Sequence, residues 1–404
     1  MELKDKFKLY GSYVYFFGFF FILFFCHKYI DTVRAPFILF ILIQVVTGKL
    51  KPKFFIDPVF IGTVVFALSA VISNFLNNVP QNEIVKILNW LYPYGLGKYA
   101  LINYDKKDAD TILLILLGCA AIFSVIGLIG RLFHLQTFLG IDLFEVAGRE
   151  ARYAFTMSGT NRAGFCIGVT LVVSCFFFLK NGLNFTRKNI FVMICFPIVF
   201  NALFLIKERK TLLMVCMMIG IFLLLYKKYK IAILMAVAAG LILTSFPLPH
   251  RYDLKEMMFN EGMQGRFNAW DCAVGLFKEK PIFGHGYPSF EKASKIHYDE
   301  NKEKFTFKEF ANFGIAHNLN LNTLAETGIL GFIAINTIFF SAWRFYRYHR
   351  KDPLVFVLGA AICFTYVTMQ FGNFTHSATR TDLTFLILGL YVAAESPSER
   401  SRYG

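Results

Sequence analysis

The feature that most constrains this chain is a succession of apolar runs, most of them long enough to form a helix across a bilayer. A spanning helix needs roughly 20 largely apolar residues, and about twelve runs approach that length. They lie near residues 10–26, 35–48, 55–76, 84–103, 109–130, 163–180, 189–206, 211–226, 231–248, 323–343, 353–371 and 382–395. Because a chain inside lipid must satisfy its backbone hydrogen bonds internally, these runs predict an all-α polytopic membrane protein with about twelve transmembrane helices.

Composition and charge agree with a membrane protein. The chain is 56% hydrophobic, above the roughly 45–50% of soluble domains. Its net charge of +15 would suggest nucleic acid in a soluble protein, but its cations are clustered between the apolar runs. We therefore expect membrane lipids as partners and no nucleic acid. The sequence has no P-loop or HExxH pattern, so we expect neither a nucleotide cofactor nor a metal.

The distribution of Lys and Arg predicts the orientation of the chain. With a cytoplasmic N-terminus, every inner loop carries at least three cations, whereas the outer loop 77–83 carries none. This orientation predicts transmembrane helices one to nine in 1–248 and a large periplasmic loop containing helices in 249–322. It predicts transmembrane helices ten to twelve and a cytoplasmic tail in 323–404.

Some cations break this rule by lying on the outer side. They are Lys207, Arg209 and Lys210 in a short turn, Arg149, Arg152 and Arg162 between the fifth and sixth runs, and Arg380 before the last run. An anion bound at the outer face would explain them, because Arg and Lys match phosphate oxygens in charge and geometry. The alternatives are a misplaced span or side chains that extend to lipid headgroups.

The large outer loop has an internal order. Apolar residues at helical spacing, from Phe267 to Phe277, predict an amphipathic helix on the membrane surface that Pro281 ends. A tight turn at 284–286 and a solvated helix over 291–310 follow. The segment 316–322 then leads directly into the tenth span, which places His317 and its neighbour at the outer mouth of that helix.

Short motifs along this region occur in a characteristic order. They are R-x-x-x-W at Arg266 to Trp270, P-x-x-G-x-G at 281–286, His317-Asn318, and E-x-G-x-x-G beginning at Glu326, preceded by S-G-T-N-R-A-G around Asn161 and by Lys210-Thr211. Together they resemble the O-antigen ligase and polymerase superfamily of bacterial membrane glycosyltransferases, over about residues 150–395. Where that family has a Ser-Arg pair, Lys210 takes the Arg position, or Arg209 does with a one-residue offset.

The resemblance implies a GT-C-like helical fold and a metal-independent glycosyltransferase. The donor would be a glycan on undecaprenyl diphosphate, held at the periplasmic face of the bacterial inner membrane. An O-antigen ligase would transfer the glycan to the lipid A-core oligosaccharide, and this is our primary interpretation. An O-antigen polymerase would use another lipid-linked repeat as acceptor, and a protein O-oligosaccharyltransferase would use a Ser or Thr.

The chemistry of such a transfer suggests roles for individual residues. A leaving lipid diphosphate needs fixed cations, which Arg266 and the Arg209-Lys210 pair can supply. An acceptor hydroxyl benefits from a base, and His317 would be neutral with an ordinary pKa near 6.5. Further candidates are Arg152 and Lys86 for the donor, and Asn318, Glu326, Trp270, Asn161, Arg380 and His285 in supporting roles. Capping, turn and interfacial roles are the structural alternatives for His317, Glu326, His285 and Trp270.

Two alternatives come from other functional classes. A flippase or transporter of lipid-linked glycans would show broken helices in matched halves. Lys86, Pro93 and two glycines interrupt the fourth run, but no second half matches it. A signalling or structural membrane protein would leave the outer cations unexplained.

Overall fold

The computed structural model describes most of the chain and shows a bundle of helices. It describes residues 3–25, 39, 56–103, 106–138, 141–147, 150–153, 157, 159–182, 184–227, 261–305, 314–348, 351–372 and 377–395. The predicted spans at 35–48 and 231–248 lie outside the described residues. Within the described residues, helices cover the other predicted spans, which confirms a mainly helical fold.

The helices are numbered in chain order. They are α1 (Leu3–Phe25), α2 (Pro58–Leu76), α3 (Ile84–Leu88), α4 (Leu91–Asn103), α5 (Lys106–Leu132), α6 (Thr160–Asn181), α7 (Arg187–Ile206), α8 (Arg209–Leu225), α9 (Glu261–Glu279), α10 (Phe290–Asn301), α11 (Leu319–Phe340), α12 (Pro353–Met369) and α13 (Ala378–Glu395). Short 3-10 helices occur at Gln81–Glu83, Lys302–Lys304 and Trp343–Tyr348.

Length and apolar composition identify membrane-spanning candidates among these helices. Among the described residues, 5 helical segments qualify: Pro58–Leu76, Ala109–Leu132, Thr160–Asn181, Arg187–Ile206 and Leu319–Tyr348. Tyr13–Phe25 and Pro353–Met369 are shorter apolar helices. The chain is therefore a membrane protein, while the count of twelve spans and their sidedness stay predictions.

The fourth predicted span is two helices in the structure. Helix α3 ends at Leu88, and α4 begins at Leu91. Pro93 has no backbone N–H to donate to the carbonyl of Asn89, so a continuous helix would lose a hydrogen bond there. The interruption that the sequence predicted around Pro93 is thus a true helix break.

Two small β-hairpins depart from the all-α prediction. Strands β1 (Thr137–Phe138) and β2 (Ile141–Asp142) pair antiparallel, as do β3 (Phe144–Ala147) and β4 (Glu150–Tyr153). These segments between α5 and α6 are rich in aromatic and β-branched residues, which favour strands. The sequence analysis missed these short strands because it relied on the long apolar runs.

Glycines let pairs of helices approach closely. A Cβ atom at Gly97 of α4 would lie 2.3 Å from the carbonyl oxygen of Leu386 in α13, and one at Gly389 would lie 2.1 Å from that of Tyr94. Such small-residue contacts are typical of helix packing in membranes. They make α4 and α13 a tightly packed pair, which supports the N-terminus of α13.

Ion pairs tie the helices together at the end of the bundle opposite the site described below. Asp57 caps α2 by accepting from the N–H groups of Val59 and Phe60, and its other oxygen lies 2.7 Å from Nζ of the buried Lys98. Asp110 of α5 contacts Nζ of Lys180 at 3.0 Å and Nζ of Lys188 at 3.2 Å. These pairs join α2 to α4, and α5 to α6 and α7.

Candidate functional site

Several helix ends meet at the other end of the bundle. Helices α6, α8, α11 and α13 begin there, and α7 and α12 end there. A Cβ at Gly164 of α6 would lie 2.0 Å from Oε2 of Glu208, and one at Gly372 would lie 2.8 Å from Nζ of Lys210. Asn318 donates to the carbonyl of Gln370 at 3.1 Å. The start of α6, the α7–α8 turn, the start of α11 and the end of α12 are therefore in contact.

These ends carry a group of cations that we call the cation cluster. It consists of Arg162, Lys210, Arg266 and Arg380, whose charges act on one another or on His317. Glu208 lies buried beside them, with its Oε1 3.1 Å from Nζ of Lys210. The positive ends of the α6, α8 and α13 dipoles lie at the same place, so the site favours an anion.

His317 is held next to the cation cluster by a defined backbone. Its φ of 52° lies in the left-handed region, which is uncommon for residues other than glycine, although Asn, Asp and His adopt it more often than most. The following residue, Asn318, caps α11 by accepting from the N–H of Leu321 at 3.0 Å and also binds the end of α12. His317 is therefore fixed from the side of α12 as well as from its own helix.

The electrostatic setting keeps the His317 imidazole neutral. Burial is the largest cause, and together with the positive charges of Arg266, Lys210 and Arg380 it lowers the pKa of His317 to about 4. A neutral imidazole can accept a proton, which a base must do. The ordinary pKa near 6.5 that the sequence suggested is too high for this setting.

Helix α11 is not one span but two segments that reverse at Gly328. Its φ of 64° and ψ of −160° interrupt the helical backbone. Nδ2 of Asn336 lies 3.2 Å from Oδ1 of Asn320, although a continuous helix would separate residues 16 apart by about 24 Å. The segments 319–327, called α11a, and 329–340, called α11b, therefore run back alongside each other.

This reversal corrects the predicted position of His317. The sequence placed His317 at the mouth of a span that continued directly from residue 316. In the structure α11b begins after Gly328 and runs into the bundle, while α11a returns His317 to the level of Tyr366 in α12 and Gln370 at its end. The apolar periodicity of 319–343 does not reveal the reversal, because both segments are helical.

The outer loop supplies the hydrogen bonds that the reversal removes from α11. The N–H groups of His285 and Gly286 donate to the carbonyls of Ala325 and Glu326, both at 2.9 Å. The N–H of Ile329 donates to the carbonyl of Pro281 at 2.9 Å. The P-x-x-G-x-G motif at 281–286 and the E-x-G-x-x-G motif beginning at Glu326 thus bind each other through backbone hydrogen bonds. We call this contact the joint.

The family comparison matches this part of the chain. Residues 193–336, from α7 into α11b, match the family model described as O-antigen ligase. The matched segment contains the α7–α8 turn, Arg266, His317 and the joint. The match supports the O-antigen ligase and polymerase superfamily for this segment of the chain. The recognition made from short motifs is thereby confirmed.

Part of the chain is also similar to a curated protein. An uncharacterized protein of Haemophilus influenzae is 29% identical over 184 residues, which cover 41% of this chain. The match spans 45% of the length of that protein. Within this chain, Arg162 and Arg380 lie outside the segment that the O-antigen ligase model matches.

Glu326 of the O-antigen ligase domain has a clear structural position. Its buried carboxylate accepts from the N–H of Phe290 at 3.2 Å and from Nδ2 of Asn322 at 2.7 Å. It thereby caps α10 and ties that helix to α11a, as the structural alternative for this residue expected.

His285 lies in a different environment from His317. Its Nε2 is 3.1 Å from the carbonyl oxygen of Leu276 and 3.4 Å from the Glu279 carboxylate, which also contacts His297 at 2.6 Å. Burial lowers the pKa of His285, with Lys280 adding to the effect. His285 thus joins the outer loop to α9, which agrees with its turn role.

Helix α9 of the O-antigen ligase domain confirms the predicted amphipathic helix. Its buried face consists of Ala269, Cys272, Ala273 and Leu276. Phe267 remains 40% exposed and packs edge-on against Trp270, with ring centroids 5.5 Å apart. The predicted apolar stripe is therefore the open face of α9, and its contact with a membrane surface stays a prediction.

The other candidates lie on other elements. Lys86 is exposed on α3 and pairs with Glu83 at 2.5 Å. Arg152 lies on β4 opposite Glu145, and Asn161 is exposed at the second residue of α6. Arg209 begins α8 next to Lys210, but it is Lys210 whose charge acts on His317.

Several residues of the site escaped the sequence analysis. Ser73, Asn74 and Asn77 at the end of α2 donate to the carbonyls of Glu326, Tyr287 and Gly284, which locks the joint to the bundle. Their spacing within an apolar helix was the available signal. Glu208 was visible inside a basic run, but its burial was not.

Proposed function

We propose that this protein is a membrane glycosyltransferase that transfers a glycan from undecaprenyl diphosphate to the lipid A-core oligosaccharide. The observation that supports this proposal most strongly is the neutral His317 held next to Lys210, Arg266 and Arg380. That arrangement pairs a proton acceptor with an anion site, and membership in the O-antigen ligase superfamily supports a glycosyltransferase role. A metal is not required, because the cations stabilise the leaving diphosphate.

The donor diphosphate would bind the cation cluster. Lys210 is our choice for the anchor over Arg209, because Lys210 shares its surroundings with Arg266 and Arg380. Arg266 reaches the site from α9, so a loop helix and the membrane helices would hold the donor together. A guanidinium fork binds two phosphate oxygens at once, so we expect Arg266→Lys to be impaired despite its retained charge.

The transfer step would proceed by displacement at the anomeric carbon. The acceptor hydroxyl oxygen forms the new bond to that carbon while His317 accepts the hydroxyl proton. The bond from the carbon to the diphosphate oxygen breaks, and the electron pair leaves with the lipid diphosphate. The bound diphosphate also offsets the repulsion of the cations, so it raises the pKa of His317 and makes it a stronger base.

We further propose that the protein lies in the bacterial inner membrane with its site toward the periplasm. The positive-inside pattern supports this orientation, since it puts the helix ends of the cation cluster on the outer side. Polymerase and protein O-oligosaccharyltransferase activities use the same donor chemistry and differ in the acceptor. A flippase would use the anion site without a base.

The decisive experiment incubates the purified protein with lipid-linked glycan and, separately, lipid A-core, a second lipid-linked repeat, or an acceptor protein. We expect a lipid A-core product from wild type and from the control Lys292→Ala, an exposed cation on α10. Lys210→Ala and Arg266→Ala should lose the product while still accumulating in the membrane. Product on another acceptor would reassign the activity, and translocation without any product would favour a flippase.

A further inference from the structure

Glu208 is an acidic residue in the middle of the proposed anion site. It lies between α7 and α8 and is 7% exposed. Its Oε2 accepts from the hydroxyl of Thr211 at 2.5 Å, and its Oε1 lies 3.1 Å from Nζ of Lys210. Its charge also acts on Arg380. A carboxylate here occupies the environment that a phosphate oxygen would prefer.

The fold reserves space for this carboxylate. A Cβ at Gly164 in the first turns of α6 would lie 2.0 Å from Oε2 of Glu208 and 3.0 Å from its carboxylate carbon. A larger residue at Gly164 would therefore displace the carboxylate. The side chain is also tied down by Thr211, so its position is built from two helices.

We propose that Glu208 is an internal counter-anion that competes with the diphosphate for the cation cluster and so promotes release of the spent lipid diphosphate. This inference rests on the proposed function of the site. Without Glu208, the cations and helix dipoles would hold a diphosphate product as strongly as the donor. With Glu208, Lys210 and Arg380 keep a partner when the product leaves.

The direction of the effect follows from charge. One negative charge beside Lys210 repels a bound anion at short range in a poorly solvated site. Glu208→Gln removes this repulsion, and its amide oxygen still accepts from Thr211. We therefore expect pyrophosphate to bind about tenfold tighter, with a steeper dependence on salt.

The test measures binding of inorganic pyrophosphate to the full-length protein in nanodiscs by calorimetry at two salt concentrations. Glu300→Gln on α10 is the matched control, since it removes the same charge at an exposed position and should leave binding unchanged. Gly164→Ala is a second variant that displaces the carboxylate without removing it, and it should also tighten binding. Unchanged or weaker binding in Glu208→Gln would overturn the proposal.

Kinetics give an independent readout. Glu208→Gln should keep its single-turnover rate within about twofold, but its steady-state rate should fall and undecaprenyl diphosphate should inhibit it more strongly. An equal loss in both rates would assign Glu208 to positioning Lys210 and overturn the release role. If both the Glu208→Gln and the Gly164→Ala variants unfolded, the release role would also be overturned. A wild type without transferase activity would defeat the proposed function, while the pyrophosphate titration would still decide the role of Glu208.

Discussion

His317 illustrates how one residue can depend on both its backbone and its neighbours. The backbone φ of 52° is left-handed at a position just before α11a, and burial together with Arg266, Lys210 and Arg380 lowers the pKa of the imidazole. An unfavourable backbone conformation persists only where the surroundings impose it, and Asn318 does so by binding both α11a and α12. These contacts fix the backbone on which the proposed role of His317 depends.

The sharpest substitution at this scale is His317→Asn. Asparagine tolerates a left-handed backbone but cannot accept a proton, so it separates the chemical role from the structural one. We expect turnover to fall by about 10²–10⁴-fold, with binding of lipid-linked donor within about twofold of wild type. Specific activity per folded protein and donor binding should be measured in parallel. An active Asn variant would remove His317 as the base.

The pH dependence should differ between the free and the donor-bound protein. Since the pKa of His317 in the free protein is lowered to about 4, kcat/KM should fall only as the pH drops toward about 4. The bound diphosphate favours the protonated imidazole, so kcat should begin to fall at a higher pH. Profiles of kcat/KM and of kcat between pH 4 and 8 should be compared for the pH at which each begins to fall. Coincident limbs would mean that the diphosphate does not bind near His317.

At the scale of elements, the reversal of α11 organises the site. Helix α11b spans the bundle beside α2, while α11a returns His317 to the end of α12. The outer loop and α2 hold this arrangement through the joint at Pro281, Gly286 and Ile329. The motif glycines therefore determine the position of His317 through the joint.

Gly328→Ala tests the joint. An alanine there would adopt a φ of 64° at a cost of about 1–2 kcal/mol, and its Cβ would lie 2.3 Å from the carbonyl oxygen of Ile282. We expect a lower melting temperature, faster proteolysis of the outer loop and loss of transfer. Gly220→Ala in α8 is the control, because its added Cβ has nothing within 4 Å. A fully active Gly328→Ala variant would contradict the reversal.

A closed set of hydrogen bonds links α11a, α11b and α12. The Tyr366 hydroxyl accepts from Asn320 at 3.0 Å and donates to Asn336 at 2.7 Å, and Asn336 donates to Asn320. Removing the hydroxyl leaves both amides without this partner, although the aromatic ring keeps its packing. Any effect of removing the hydroxyl should therefore come from the lost hydrogen bonds and not from lost packing.

Tyr366→Phe should lower stability by about 2 kcal/mol, at roughly 1 kcal/mol for each lost hydrogen bond. Looser packing of α11a should also reduce kcat more than donor affinity. Melting temperature, kcat and donor binding distinguish these effects, and Tyr346→Phe, at a half-exposed tyrosine beyond the far end of α11b, is the control. Unchanged stability would show that this set of bonds does not hold α11a.

At the scale of the whole molecule, the candidate site and the structural ion pairs lie at opposite ends of the bundle. The cation cluster and His317 occupy one end, and the Lys98–Asp57 and Lys180–Asp110 pairs occupy the other. Closely packed pairs such as α4 with α13 connect the two ends. The proposed diphosphate donor would balance the excess positive charge at the site end, whereas the Lys98–Asp57 and Lys180–Asp110 pairs balance buried charge at the opposite end.

Reporter fusions test the orientation of this bundle. We expect fusions near residue 300 to report the periplasm, and those near 105, 184, 229 and 348 to report the cytoplasm. The basis is the clustering of Lys and Arg in the inner loops. A cytoplasmic signal near 300 would place the site away from lipid-linked periplasmic donors and would refute the proposed function.

The sequence by itself determined the membrane class, most helix positions and the family, because these depend on local hydrophobicity and on the order of short motifs. It also identified His317, Arg266 and Lys210 as candidates, since their chemistry is visible in their identity. The resemblance implied that they act on one donor, but their arrangement in space depends on contacts between residues far apart in the chain.

Only the tertiary structure decided how those candidates are arranged and what surrounds them. The reversal at Gly328 depends on hydrogen bonds from a loop about 40 residues earlier in the chain, and helical periodicity looks the same on both sides of it. The shift in the pKa of His317 depends on burial and on three cations from separate segments of the chain. The burial of Glu208 depends on the packing of α6 against the α7–α8 turn. Local sequence carries propensity and charge, whereas burial and the electrostatic field arise only when distant segments pack.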